Sequence, residues 1–141
     1  MGRLLAIGFS TLLLAVSLGA CGGSDSPTEE REARDREQIE AVAKRFAVAV
    51  AAEDAKAFCA TLLPNDVQKL GEGKNDGSKR CLVVWGKDRN PLFQAKNANL
   101  ELEEITELKG PSATATLATG GELAFAKEGG AWHVHLAPAK E

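Results

Sequence analysis

The 141-residue chain contains no tyrosine, and phenylalanine and tryptophan together make up only 5% of it. Tyrosine is a common catalytic acid and a common anchor of binding surfaces, so neither role can be filled by a phenol here. Basic residues are not in excess: 17 Lys and Arg face 20 Asp and Glu, for a net charge of -3. The clustered cationic footprint of a nucleic-acid binder is therefore missing. No apolar run reaches the roughly 20 residues that a membrane-spanning helix needs. Leu4 to Leu18 falls short and is interrupted by Gly8, Ser10, Thr11 and Ser17. There is no Gly-rich phosphate loop, no Ser or Cys nucleophile beside a His and no paired metal motif, so no metal or cofactor is called for. Those absences weigh only lightly against an enzyme whose site residues are dispersed along the chain.

What is present begins with a short positive start, Met1-Gly2-Arg3, followed by the apolar run, small residues Gly19 and Ala20, and Cys21. That is the three-part order of a secretory signal peptide. The Leu18-Gly19-Ala20-Cys21 tetrad resembles the lipobox of bacterial lipoproteins. The resemblance implies that the Cys21 thiol is alkylated by a diacylglyceryl group and that the chain is cut on its amino side. Residues 1–20 would then be the signal peptide and Cys21 the first residue of an extracytoplasmic protein, lipid-anchored to the cell membrane. At about 0.8 kcal/mol per buried methylene, two or more acyl chains hold a protein on a bilayer where one would not. Loss of the segment removes Arg3 and no acid, leaving 16 basic against 20 acidic groups, or -4.

Three cysteines are an awkward number for an exported protein. With Cys21 lipidated, Cys59 and Cys81 remain as a pair in an oxidising compartment. A bridge between them closes a loop of about 22 residues and stabilises the fold by roughly 3 kcal/mol in the chain-entropy model. Two free buried thiols are the other reading. A metal site is disfavoured because neither Cys has a second Cys or a His two to four residues away.

Gly22 to Pro27 reads as a flexible tether. Ser26 is placed as an N-cap, with Pro27 in the first helical position and Glu29 completing a capping box. From Glu29 to Gln38 the chain is charged on every face, with Glu30–Arg34 and Glu32–Arg36 as i,i+4 pairs. Residues 21–38 are thus predicted to be the lipidated Cys, tether and a solvated helical extension, and 39–137 the domain. Its apolar stripe begins at Ile39 and continues through Val42, Phe46, Ala49 and Val50 at helical spacing. Asp54 can cap a second helix carrying Phe58, Leu62 and Leu63, which Pro64 ends or turns sharply. Val67 and Leu70 suggest one more short turn of helix before a Gly- and Asn-rich loop, Gly71 to Gly77. Cys81 onward is predicted as one helix running towards Gln94.

After Asn97 the period changes to two. Leu100 and Leu102 alternate with Glu101 and Glu103, and Ile105 falls out of phase, predicting a bulge near Glu103-Glu104. Ala113, Ala115 and Leu117, then Leu123 and Phe125, then Trp132, Val134 and Leu136 continue the alternation between turns at Gly110-Pro111, Gly120-Gly121 and Gly129-Gly130. The prediction is an α+β fold: N-terminal helices packed on a curved four-stranded antiparallel sheet.

This order of elements resembles the nuclear transport factor 2-like cone, the fold of SnoaL-like and ketosteroid isomerase-like proteins. More narrowly it resembles Ala-rich actinobacterial lipoproteins with that fold, in which a cysteine late in the second helix pairs with one at the start of the third. The resemblance covers Ile39 to Leu136. It implies a conical pocket for a small apolar ligand, lined by residues such as Phe46, Val50, Leu117, Phe125 and Trp132, which are equally the expected core. It also admits a homodimer through the sheet. The leading reading is a non-enzymatic binding module for a small apolar ligand or an envelope protein. The alternatives are a SnoaL- or isomerase-like enzyme acting on a small hydrophobic substrate, and a structural assembly module. The enzyme needs an ionisable residue on the pocket-facing side of the sheet, where the pattern places Ala, Leu, Phe, Val and Trp.

Other polar residues read more simply. His133 and His135 share a strand face opposite to Trp132 and Val134, so they are predicted to be solvated or covered by a partner rather than to hold a metal. Asp88 and Arg89 fit an exposed loop. Glu101, Glu103, Glu104 and Glu107 make an acidic first strand whose charge protects a sheet edge.

Overall fold

The computed structural model describes residues 27–70, 77–86, 88–94 and 99–136. The predicted signal peptide, Cys21, the tether and the Ser26 cap lie outside the described residues, as does the loop at 71–76. The architecture is α+β: five helices are followed by four strands.

The first helix, α1 (Pro27–Ala51), opens with Pro27 in its first position and Glu29 and Glu30 in its first turn, where a carboxylate complements the helix dipole. It runs unbroken across positions 38 and 39, where the extension was predicted to meet the domain. Its buried face is Ile39, Val42, Ala43, Phe46, Ala49 and Val50, together with Asp35 one turn earlier. The helix ends in a turn with Glu53 at φ 53°, in the left-handed region.

Asp54 caps the next helix as the sequence suggests: its Oδ1 accepts the Ala57 amide at 2.9 Å. That helix, α2 (Ala55–Thr61), stops at Leu62, whose backbone is extended. Leu62 forms a parallel bridge with Val134, and the Leu63 amide donates to the Val134 carbonyl at 2.8 Å. Pro64 then starts α3 (Pro64–Leu70).

The single helix predicted from Cys81 to Gln94 is instead two. Helix α4 (Gly77–Val84) starts earlier and stops at Trp85-Gly86, and α5 (Pro91–Gln94) is a separate turn. The break is local chemistry. The amides of Arg89 and Asn90 both turn back to the Gly86 carbonyl, and Asn90 Oδ1 accepts the Leu92 amide at 2.9 Å, capping α5. Gly77 lets α4 approach α3 closely, because a Cβ there would sit 2.6 Å from the Val67 carbonyl oxygen.

The strands β1 (Leu102–Lys109), β2 (Ser112–Leu117), β3 (Glu122–Glu128) and β4 (Ala131–His135) form an antiparallel meander in the order β1-β2-β3-β4. The β3–β4 turn places Gly129 and Gly130 at positive φ, the requirement of a type I′ hairpin. The register of β1 against β2 shifts between Leu102 and Glu104, where a bulge was predicted, and again between Ile105 and Glu107. The inner face carries Ile105, Ala113, Ala115, Leu117, Phe125, Trp132 and Val134 against the helices. Phe58 is the hub of the helical side, with ring centroids 5.4 Å from Phe46, 5.5 Å from Phe93 and 6.2 Å from Trp85. Beside it, Cys59 and Cys81 are disulfide-bonded, tying α2 to α4.

Candidate functional site

Of the sequence-predicted site residues, Cys59 and Cys81 are brought together. Phe46, Val50, Leu117, Phe125 and Trp132 are all buried within the one hydrophobic core. The pockets described on this structure are lined by other residues.

The most apolar of these pockets is a groove of about 590 Å³ between α1 and α2. Its α1 wall carries Ala41, Lys44, Arg45, Val48, Ala49 and Ala52, and its α2 wall Ala57 and Ala60. The sequence creates it by putting alanines on two facing helices: a methyl group fills little space, so the helices meet at the Asp54 corner and leave a trough. Its two uncharged-or-acidic polar residues are engaged elsewhere. Asp54 holds the Ala57 amide, and the Thr61 hydroxyl donates to the Phe58 carbonyl at 2.7 Å. Val48 is 60% exposed along the trough. The groove offers apolar contact with cations at its rim. The volume lies in the range of about 300–1,000 Å³ typical of small-molecule sites.

A second constellation was not anticipated. Asp35, 7% exposed, is clamped beneath the start of the sheet. Its Oδ1 accepts from Lys127 Nζ at 2.6 Å and from the Trp132 indole N–H at 3.0 Å. Lys127 Nζ also lies 5.7 Å from the centre of the Trp132 ring. Burial pushes the Asp35 carboxyl up, but the two hydrogen bonds and the charges of Lys127 and Arg31 outweigh it and leave it below the usual carboxylate value. The inner sheet face therefore does carry an ionisable residue, Lys127. The signal was readable: Lys127 has the parity of Phe125, and Asp35 sits four residues before Ile39 on the same helical stripe. A general base works best with a pKa near the operating pH, and Asp35 is shifted away from it. The geometry is that of a strut between helix and sheet.

The two histidines are half-buried rather than simply solvated. His135 Nδ1 pairs with Asp66 Oδ2 of α3 at 2.6 Å, and His133 lines a pocket with Cys59, Pro64 and Val67. Among the described residues no group of three or more His, Cys, Asp or Glu could hold a metal. Asp88 and Arg89 are exposed in the turn after α4, and Glu101, Glu103, Glu104 and Glu107 are exposed along the edge strand β1. No described helix is long and apolar enough to cross a membrane. Comparison of the chain with protein-family models, with curated proteins and with solved structures found no match.

Proposed function

We propose that this chain is an extracytoplasmic lipoprotein, anchored through Cys21, whose domain is a non-enzymatic binding module for a small apolar ligand. The observation that carries the binding half is the alanine-walled groove between α1 and α2. An apolar trough with an exposed Val48 costs free energy in water, and an apolar ligand covering it recovers part of that cost. Support for the anchor is the arithmetic of the thiols: the Cys59–Cys81 bridge leaves Cys21 as the one cysteine without an intrachain role. The helices-then-meander order agrees with a nuclear transport factor 2-like cone, and we assign the fold to that class. In this reading the inner face is core and the ligand site lies on the outer side of α1.

Native mass spectrometry of the protein extracted from its own membranes tests the binding half. The expected result is a small apolar adduct that is retained by the wild type and lost from a Val48→Glu variant. A bare protein mass for the wild type, or an adduct equally retained by Val48→Glu, contradicts the reading. Val48 is exposed, so the substitution leaves the fold intact.

A further inference from the structure

We propose that the ligand of the α1–α2 groove is an anionic amphiphile, its alkyl chain lying along the alanine floor and its negative head group held between Lys44 and Arg45. This rests on the groove being a binding site, and adds the sign of the ligand's charge. Ala41, Lys44, Arg45, Val48 and Ala52 fall at i, i+3, i+4, i+7 and i+11, one continuous strip of α1. Both cations are exposed on that strip, so their methylene stems can extend the apolar wall while the charges stay in water. The trough is open on its outer side. That suits a molecule with one end in solvent better than a wholly apolar one that needs enclosure. Asp54 is the single acid on its wall, and one of its oxygens is occupied by the Ala57 amide.

A neighbouring groove gives the contrast. Between α1 and β1 lies a second trough of about 510 Å³ that shares Lys44 and Val48. Its remaining charges are Glu40, Glu101 and Glu103, which repel an anion. The two troughs flank the same exposed valine and differ chiefly in charge, so an anionic alkyl compound is directed to the α1–α2 side.

The test uses dodecanoate, dodecanol and dodecylammonium, each below its micelle concentration, titrated into the purified, disulfide-intact protein and followed by methyl NMR. Dodecanoate is expected to bind tightest and to shift the Ala41, Val48, Ala52, Ala57 and Ala60 methyls. Exposed ion pairs are worth about 0.2–1 kcal/mol each, so a Lys44→Ala/Arg45→Ala variant is expected to bind dodecanoate about two- to tenfold more weakly while binding dodecanol unchanged. Equal affinity for the three compounds, or no loss in the double variant, overturns the charge assignment and leaves the apolar site standing. Shifts confined to Ala43, Leu100 and Leu102 move the site to the other trough and overturn the proposal as well. If none of the three compounds shifts any groove methyl, the binding reading itself fails.

Discussion

The two halves of α1 are held to the protein in different ways. From Ile39 to Val50 the helix presents six buried apolar residues to the sheet and to α2, and no single one decides its position. From Pro27 to Gln38 only Asp35 is buried, and its two hydrogen bonds to β3 and β4 attach that half of the helix. The apolar half is redundant and distributed; the charged half depends on one carboxylate. A uniform helix can thus have a robust end and a conditional end.

Removing the hub of the distributed half has the largest expected effect. Phe58→Ala opens a cavity beneath Phe46, Trp85 and Phe93 and is expected to destabilise by about 3–5 kcal/mol in urea unfolding. A loss under about 1 kcal/mol would mean that the helical side is loosely packed. Reducing the Cys59–Cys81 bridge, with its separation of 22 residues, comes next. It is expected to cost roughly 3 kcal/mol, read as a lower melting temperature in reductant.

Asp35→Ala comes third and sharpens the contrast, since it acts on the other half. It leaves Lys127 and the Trp132 indole N–H without their acceptor, and an expected loss of about 2–3 kcal/mol follows, at the lower end because the Lys127 side chain keeps 28% of its exposure and rehydrates. Amide hydrogen exchange is expected to quicken from Pro27 to Gln38 and not from Ile39 to Val50. Equal quickening in both halves contradicts the division.

The same carboxylate gives a pH dependence. Its folded pKa lies below its unfolded value of about 3.9, so its contribution to stability is complete above that value and is lost as pH falls through the folded one. The wild type is expected to lose stability on acidification below about pH 4 more steeply than Asp35→Asn. Identical slopes would show that the pair contributes nothing. Smallest is Arg34→Ala, which removes the exposed 3.3 Å pair with Glu30 and is expected to cost a few tenths of a kcal/mol.

This contrast also explains what could be read in advance. The stripe from Ile39 to Val50, the Asp54 cap, the alternation in β2 and β4 and the bulge near Glu103 are signals of spacing, and spacing survives in a linear sequence. The Asp35–Lys127–Trp132 strut joins positions 92 and 97 residues apart, and a charged residue on a stripe reads as an interruption unless its partner is known. The break between α4 and α5 came from Gly86 and Asn90 outweighing a weak apolar pattern. The α1–α2 groove was illegible for a further reason: it is made of alanines, and small side chains announce neither a core nor a site. The sequence pattern drew attention to large residues such as Phe46 and Phe125, which fill the interior, whereas the groove is bounded by what is small.

The mature N-terminus provides the most direct test of the proposed anchor. Intact-mass and peptide mass spectrometry of the protein isolated from its own membranes should show a chain beginning at Cys21 with a diacylglyceryl group on its sulfur. A chain that retains Met1, or one that begins near position 21 with the Cys21 thiol free, would contradict the account.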